Sequence, residues 1–145
     1  MAAQITFRDA SVSDAEFLYE CRNDPLTRKM SCSKEIISFD DHQKWLVDNL
    51  EKTDSIIKIA EMNGESIGSV RAQKKEEVWI LSWVLHDKWR GRNLAKPMVN
   101  KFVGTLDENL RAKIQISNTA SVKIAEYIGL KCVGRDNDFY VFESD

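Results

Sequence analysis

The run Val78–Leu85 is nearly continuous in apolar side chains and contains two tryptophans, with Ser82 as its one polar residue. A strand of this composition is typical of the middle of a sheet that is covered on both faces. A basic, glycine-containing segment follows, and the apolar spacing from Leu94 to Leu106 then predicts a helix. Pro97 fits the first turn of that helix, where its missing N–H is not needed. A buried strand, a turn and a helix in this order predict an α/β domain.

The rest of the chain supplies further strands and helices around this segment. Asn63-Gly64 separates two strand-like runs and predicts a hairpin, because both residues tolerate a positive φ. Pro25 is expected to end the first helix, and residues 26–38 are expected to be irregular. The 145 residues fit one domain, 1–145, with a mixed sheet. The other predicted strands are 4–8, Ser55–Ala60, Ser66–Arg71, Lys113–Ile116, Lys131–Gly134 and Phe139–Phe142, and the other helices are predicted to begin at Ser13 or Asp14, at Asp40 or Asp41, and at Asn118 or Thr119.

The charge balance and the cysteines argue against several classes of function. The chain has 21 basic and 23 acidic residues and a net charge of -2, without the basic excess that is typical of nucleic-acid-binding proteins. Its apolar stretches are far shorter than the ~20 residues of a membrane-spanning helix. Cys21, Cys32 and Cys132 form no metal-ligand pattern. We expect a cytoplasmic protein with reduced thiols, without a metal and without a nucleic-acid or membrane partner; a homodimer is left open.

The turn of residues 90–95, which reads Arg-Gly-Arg-Asn-Leu-Ala, is the leading candidate for a binding site. A turn between a strand and a helix directs successive backbone N–H groups at one point, and the helix N-terminus adds a positive dipole end. A pyrophosphate satisfies such donors. Gly91 and Ala95 are small enough for a phosphate to approach the backbone, and Asn93 tolerates a positive φ better than other non-glycine residues. A solvated loop is the alternative interpretation of this segment taken alone.

Two motifs in the chain resemble those of the GNAT N-acetyltransferases. Residues 90–95 resemble motif A, Arg/Gln-x-x-Gly-x-Gly/Ala, with Arg90 at the first position, Ala95 at the last and Asn93 in place of the expected glycine. Residues 117–130 resemble motif B, in which Asn-x-x-Ala/Ser is followed by an apolar helix and a glycine. The resemblance implies the α/β GNAT fold, with a mostly antiparallel sheet of about seven strands and about four flanking helices, and acetyl-CoA as the co-substrate.

The same resemblance implies where acetyl-CoA binds. The strand that ends at Leu85 is expected to diverge from the strand at 113–116, and the pantetheine arm to lie in the gap. Asn118 is expected to hydrogen-bond this arm and Ser121 to face the cofactor one turn later, with a simple helix cap as the alternative role of Asn118. The cofactor-binding candidates are Val84, Leu85, Arg90, Gly91, Arg92, Asn93, Leu94, Ala95, Asn118 and Ser121.

The N-terminal half resembles the family members that acetylate nucleotide-linked 4-amino sugars in pathways of the pseudaminic and legionaminic acid type. The resemblance rests on the pattern R-N, R-x-x-S, H-x-x-W and then G-x-V-R. Arginine offers forked donors to a diphosphate, and tryptophan can stack on a sugar or a base. Surface charges and a core tryptophan are the alternatives. The substrate-binding candidates are Arg22, Asn23, Arg28, Trp45 and Arg71.

The resemblance also implies direct transfer, in which the amine attacks the thioester without a covalent enzyme intermediate. Many family members place a glutamate in the central strand and a tyrosine in the motif B helix. Here the strand carries no glutamate and Ala125 stands at the tyrosine position, while Tyr127 is about 200° further around the helix. His42 is therefore the leading candidate for the general base, by elimination, and Ser82 acting through water is the second.

Two other functions stay open at this point. One is an acetyltransferase for a protein N-terminus or a small amine. An enzyme that binds a peptide often has an open, acidic groove, and the paired arginines argue against such a groove here. The other is a non-catalytic sensor that keeps an acyl-CoA pocket, which the missing glutamate and tyrosine permit. The leading hypothesis is an N-acetyltransferase whose acceptor is the 4-amino group of a nucleotide-linked sugar.

Overall fold

A computed structural model describes residues 4–31, 34–107 and 109–144. Its described part contains seven strands and five α-helices. The strands are β1 (Ile5–Asp9), β2 (Ser55–Met62), β3 (Glu65–Lys75), β4 (Val78–Leu85), β5 (Asn109–Gln115), β6 (Lys131–Asp136) and β7 (Phe139–Glu143). The helices are α1 (Ala15–Asn23), α2 (Pro25–Met30), α3 (Phe39–Leu50), α4 (Ala95–Val103) and α5 (Thr119–Tyr127).

The strands form one sheet in the order β1-β2-β3-β4-β5-β7-β6. Every neighbouring pair in it is antiparallel except β4 and β5. The predicted hairpin joins β2 to β3, and its two turn residues have positive φ angles, 51° at Asn63 and 81° at Gly64. The apolar run Val78–Leu85 is the middle strand, as its composition predicts. The expected mixed, mostly antiparallel sheet is therefore confirmed.

Two apolar layers cover the sheet. On one face, buried residues of α4 and α5 such as Met98, Phe102 and Ala125 pack in one cluster with strand residues. On the other face, α1 and α3 pack on β2, with Leu46 and Ile59 fully buried. The apolar spacing of each helix supplies this buried stripe. Leu81 of β4 is buried in the first of these layers.

The segment after the first helix differs from the sequence expectation. Pro25 ends α1, but it also occupies the first turn of α2, a helix within the region that was expected to be irregular. Proline is well placed there because its φ suits a helix and its missing N–H has no partner to lose. The carboxylate of Asp24 caps α2 by accepting the N–H of Thr27 at 3.0 Å. This additional helix explains why the structure has five α-helices and not about four.

The start of α1 is as expected, and that of α3 is shifted. A short 3-10 turn, Val12–Asp14, precedes α1, which begins at Ala15 with Asp14, one of the two predicted caps, in the cap position. Ser38, and not Asp40 or Asp41, caps α3, with its hydroxyl oxygen accepting the N–H of Asp41 at 3.2 Å. A serine in extended backbone is a preferred cap, and the two aspartates then lie in the first turn, where negative charge is favourable.

The sheet opens beside the second half of β4. Pairing between β4 and β5 covers only Val78–Ile80 against Asn109–Arg111, and β5 continues along β7 as far as Gln115. On the other side, β3 stays close to the end of β4: a Cβ atom on Gly68 would lie 2.3 Å from the carbonyl oxygen of Val84. Among the described residues, the second half of β4 therefore pairs with β3 on one edge and with no strand on the other. The predicted divergence of β4 from β5 is present.

Candidate active site

The turn between β4 and α4 has the backbone geometry that its residue types predict. A 3-10 turn at Asp87–Trp89 leads into it, and φ is then 76° at Gly91 and 56° at Asn93. Positive φ values at alternate positions curve the chain so that its N–H groups converge on one side. Glycine reaches this region without cost, and asparagine does so more easily than other side chains. Asn93 therefore replaces the glycine of the motif without losing the conformation.

The donors of this turn are free to bind an anion. Within the described part of the chain, the backbone N–H groups of residues 91–94 donate to no acceptor. The nine-residue helix α4 begins immediately afterwards and directs its positive end at the same place. The side chain of Arg92 lies outside this concavity, with its guanidinium 4.9 Å from the ring centre of Trp89 and one N–H donated to the carbonyl of Lys88. Converging, unpaired donors at a helix start fit a pyrophosphate.

Arg90, the first residue of the turn, is held by Asp24 and Thr27 at the start of α2. Its Nη2 donates to the Asp24 carboxylate at 2.7 Å and to the Thr27 hydroxyl at 3.1 Å. The ion pair is shielded, with side-chain exposures of 28% for Arg90 and 15% for Asp24. Burial alone opposes ionisation of Asp24, but the hydrogen bonds from Arg90 and Thr27 lower its pKa below the ordinary value. The turn is thus tied to the junction between α1 and α2.

Backbone groups on the open edge of β4 come from alternate residues. The N–H of His86 donates to the Ile67 carbonyl on β3, and every second residue of a strand points the same way. Val84 therefore directs its backbone groups to β3, whereas Leu85 and Trp83 direct theirs into the opening. Leu85 therefore faces the opening in which pantetheine is expected to pair with it, and that pairing stays a prediction. Trp83 is a further donor that the sequence reasoning did not single out, and a role for Val84 stays a prediction.

The start of α5 faces the opening from the other side. Asn118 caps α5, because its Oδ1 accepts the N–H of Ser121 at 3.2 Å. The Oγ of Ser121 accepts the indole N–H of Trp83 at 3.2 Å, which links α5 to β4 across the divergence. The cap leaves the Asn118 Nδ2 without a described acceptor. Both residues thus lie at the opening, and their contacts to the cofactor stay predictions.

On the opposite face of β4, a half-buried arginine has no carboxylate partner among the described residues. The Arg71 guanidinium lies 5.0 Å from the ring centre of Trp45, and its Nε donates to the Ser82 Oγ at 3.2 Å. No carboxylate of the described residues is within ion-pair distance of it. Burial and then the positive charge of Arg22 lower the pKa of Arg71. A partly desolvated cation without a carboxylate partner favours the binding of an anion.

His42 lies behind Trp45 in an aromatic cluster. It is 4% exposed, and its ring centre is 5.5 Å from that of Trp45 and 5.7 Å from that of Tyr19. Its Nδ1 is buried without a hydrogen-bond partner. Burial and then the charge of Arg22 lower the pKa of His42, so the ring is neutral at physiological pH. Phe39 completes the cluster, with its ring centre 5.3 Å from that of Tyr19. The sequence reasoning missed Tyr19 and Phe39. Helical spacing could have indicated both, because Tyr19 shares a helix face with Arg22 and Phe39 shares one with His42.

The other predicted substrate residues hold a loop. Asn23 donates to the Ile37 carbonyl at 2.9 Å and accepts the Ile37 N–H at 3.2 Å, which uses both ends of its amide. Arg22 donates to the carbonyl of Glu35, and Arg28 donates to those of Asn23 and Lys34. These contacts order residues 34–37 beside the aromatic cluster. Binding of substrate by the three side chains themselves stays a prediction.

The cysteines and the motif B tyrosine lie away from this chemistry. Burial raises the pKa of the Cys21 thiol to about 12, which disfavours a thiolate nucleophile. Cys132 is exposed, and Cys32 is outside the described residues.

Ala125 is fully buried, whereas Tyr127 is 57% exposed and lies over Lys96, so it does not replace the missing tyrosine. In the described ranges, no three His, Cys, Asp or Glu side chains are grouped as for a metal, and no helix is long and apolar enough to cross a bilayer.

A family model described as acetyltransferase (GNAT) domain matches residues 4–131, most of the chain. The chain belongs to the GNAT acetyltransferase family. Comparison with curated protein sequences found no match. For this GNAT protein, the predictions of the fold, of an acetyl-CoA-dependent N-acetyltransferase and of acetyl-CoA as co-substrate are confirmed at the level of the family.

Solved structures show the same fold at low identity. A domain from Methanocaldococcus jannaschii has a TM-score of 0.81 and 21% identity, over 98% of both chains. The spermidine N-acetyltransferase of Vibrio cholerae, in complex with CoA and spermine, has a TM-score of 0.84 and 15% identity over 97% of this chain and 93% of that one. The aminoglycoside acetyltransferase AAC(6')-Ib, in complex with ribostamycin and coenzyme A, has a TM-score of 0.83 and 18% identity, with the same coverage.

The geometry of the turn predicts how its variants bind CoA. Asn93→Val is expected to weaken CoA binding about tenfold, because a β-branched residue resists the positive φ that directs the N–H groups inward. Arg92→Ala is the matched control in the same turn and is expected to change the dissociation constant less than about threefold, since that side chain lies on Trp89. Calorimetric titration with CoA measures both values. Equal, small effects of the two changes would contradict a backbone-built site.

Proposed function

We propose that this GNAT protein transfers the acetyl group of acetyl-CoA to the amine of an anionic acceptor, the 4-amino group of a nucleotide-linked amino sugar. The observation that carries the proposal is the half-buried Arg71 guanidinium, which stacks on Trp45 and has no carboxylate partner among the described residues. Arg22 is close enough for its charge to act on both Arg71 and His42. Two arginines with no counter-charge favour a diphosphate.

The same charges disfavour a cationic acceptor. Polyamines and aminoglycosides carry several ammonium groups, and like charges at a desolvated site repel strongly. Spermine and ribostamycin are the molecules bound to two of the solved structures that share this fold. A site for such molecules needs carboxylates, and within the described residues none pairs with Arg22, Arg28 or Arg71. The acceptor proposed here therefore differs in charge from those two ligands.

The aromatic cluster supports the rest of such an acceptor. Trp45 is half-buried, and one face of its ring carries the Arg71 guanidinium. A sugar or base ring can pack on exposed aromatic surface beside a phosphate-binding arginine. The nucleotide is then held by the two arginines and Trp45, and the 4-amino group is presented to the open part of β4.

The transfer itself needs few protein groups. Acetyl-CoA supplies the thioester, which the turn and the open edge of β4 hold through backbone donors. The acceptor nitrogen forms a bond to the acetyl carbon, the C–S bond breaks, and CoA leaves as a thiol after protonation. A backbone N–H of Trp83 or Leu85, both directed into the opening, is proposed to stabilise the oxyanion. His42 is proposed as the base that removes the amine proton, through water, because it is neutral and its Nδ1 is unpaired. Ser82 relaying through water is the second candidate.

A panel of acceptors tests the proposal. Purified protein, acetyl-CoA and one amine are combined, and the released thiol is followed with a chromogenic thiol reagent. The matched pair is a UDP-linked 4-amino sugar and the same amino sugar without the nucleotide, with spermidine, ribostamycin and a peptide N-terminus as further amines. We expect kcat/KM for the UDP-linked sugar to exceed the others by about 10²-fold, the size of two charge-assisted contacts.

Three results would decide against this function. Preference for spermidine or ribostamycin would overturn the anionic acceptor, and preference for the peptide would make the protein an N-terminal acetyltransferase. Tight binding of CoA with no turnover of any amine would favour a sensor. Each result is read against the binding of CoA alone, which tests the co-substrate site separately.

A further inference from the structure

Asp24 lies at a junction of three structural elements. Its backbone N–H donates to the Glu20 carbonyl at the end of α1, and its carboxylate caps α2 through the N–H of Thr27. The same carboxylate accepts the Arg90 Nη2–H at 2.7 Å. These two residues are 66 positions apart in the chain. This contact thus connects the turn of residues 90–95 to α2, the helix that precedes residues 34–37.

The engagement of Arg90 changes the expected origin of anion binding. A guanidinium that reaches a pyrophosphate must be free to approach it, but this one is shielded and shares its Nη2 between a carboxylate and a hydroxyl. The unpaired N–H groups of residues 91–94 are the backbone donors available in the turn. These donors converge only while the turn keeps its two positive φ values.

We propose that Asp24 is a positioning residue for acetyl-CoA: by anchoring Arg90, its carboxylate holds the turn 90–95 in the conformation in which backbone N–H groups bind the pyrophosphate. Arg90 then contributes to cofactor affinity through Asp24 and not by direct contact with phosphate. The proposal rests on acetyl-CoA as co-substrate and is independent of the acceptor proposed above.

Two substitutions of Asp24 separate the ion pair from the helix cap. Asn and Ser are both good N-caps, so Asp24→Asn and Asp24→Ser keep an acceptor for the Thr27 N–H while removing the charge that Arg90 contacts. Asp14→Asn is the matched control, because Asp14 also accepts a short bond from an arginine, Arg8, and lies at the other end of α1. Thermal melts of all variants check that each is folded.

The measurement compares two ligands. Dissociation constants are determined by calorimetry for CoA and for pantetheine, which lacks the pyrophosphate. We expect Asp24→Asn and Asp24→Ser to raise the dissociation constant for CoA about five- to tenfold and to leave that for pantetheine within about twofold. Asp14→Asn is expected to change neither. Arg90→Gln is expected to match the loss for CoA, and the double variant Asp24→Asn with Arg90→Gln to lose no more than either single one.

The sign of the effect distinguishes the alternatives. If Arg90 contacts the pyrophosphate directly, removing the carboxylate frees it, and CoA binding is unchanged or tighter; that result overturns the proposal. An equal loss for CoA and pantetheine also overturns it, because the effect is then not specific to the turn. Wild-type protein that binds no CoA would instead remove the co-substrate assignment, a failure that the first titration identifies.

Discussion

Replacing His42 by glutamine is expected to lower kcat about 10²–10⁴-fold, with little change in KM, because a positioned base contributes about that much. Glutamine keeps much of the size and hydrogen-bonding capacity of histidine but accepts no proton, so packing against Tyr19 and Trp45 is largely retained. The measurement is the rate of thiol release with the best acceptor of the panel. Ser82, on β4, is the second candidate for the base, and Ser82→Ala is measured beside His42→Gln.

The pH dependence gives a second measure of the same role. Burial and then the charge of Arg22 lower the pKa of His42 below its ordinary 6.5. The neutral ring is the active form, so kcat/KM is expected to rise with pH through this lowered pKa and to be flat above about pH 6.5 where histidine alone limits the rate. Arg22→Gln removes one of the two causes and is expected to move the rising part of the curve to higher pH.

The amine of the acceptor also titrates, so the wild-type curve alone does not identify the base. The comparison with His42→Gln decides, because only a titration of His42 disappears in that variant. A loss below about tenfold with an unchanged pH profile would contradict the role and would favour catalysis by positioning, with water taking the proton. A large loss in Ser82→Ala together with a small one in His42→Gln would transfer the role to Ser82.

Arg71→Ala is expected to raise KM for a nucleotide-linked acceptor about 10²-fold and to leave KM for acetyl-CoA within about twofold. Charge-assisted bonds contribute about 1.5–3 kcal/mol each, and two of them correspond to this factor or more. The same variant is expected to affect an amino sugar without the nucleotide much less, because that acceptor carries no phosphate. Steady-state kinetics with the matched pair of acceptors measures the difference.

Two further variants make the Arg71 result specific. Arg71→Lys keeps the charge without the forked donors and is expected to lose part of the affinity. Arg111→Ala removes an arginine that pairs with Glu143 on the neighbouring strand β7 and is expected to leave both KM values unchanged. Equal increases in KM for acceptor and acetyl-CoA would place Arg71 at the cofactor or in the fold, and not at the acceptor phosphates.

Local sequence was sufficient where one segment determines its own conformation. The central strand at Val78–Leu85, the hairpin at Asn63-Gly64 and the positive φ of Asn93 all follow from residue types that few other conformations accommodate. Of the residues in that strand only Leu81 is buried, so the burial expected on both faces is not met. The same reasoning placed Pro97 in the first turn of α4. It missed α2, because a proline that ends one helix can begin the next, and the deciding group is a capping carboxylate one residue earlier.

The site was predicted less completely than the fold. Trp45 and Arg71, two of the predicted substrate residues, lie in contact, but Tyr19 and Phe39 were missed although they complete the same aromatic cluster. Arginine residues were the hardest to assign. A guanidinium can bind a carboxylate, a carbonyl or a phosphate, and the sequence alone does not show which of these it meets. In the structure, Arg22 and Arg28 donate to backbone carbonyls of a loop, whereas Arg71 has no carboxylate partner in the described residues.

By itself the sequence determined the family, the strand-turn-helix that carries the predicted anion site and the positions of most strands. Those properties depend on apolar periodicity, on backbone φ preferences and on short motifs, all of which act within a few residues. Only the tertiary structure decided which charges are already paired. The bond from Arg90 to Asp24 spans 66 residues. The packing of α3 against the sheet leaves the Nδ1 of His42 without a hydrogen-bond partner and places Arg71 on Trp45, with no carboxylate partner among the described residues. Pairing and desolvation are properties of distances between segments, and no spacing along the chain encodes those distances.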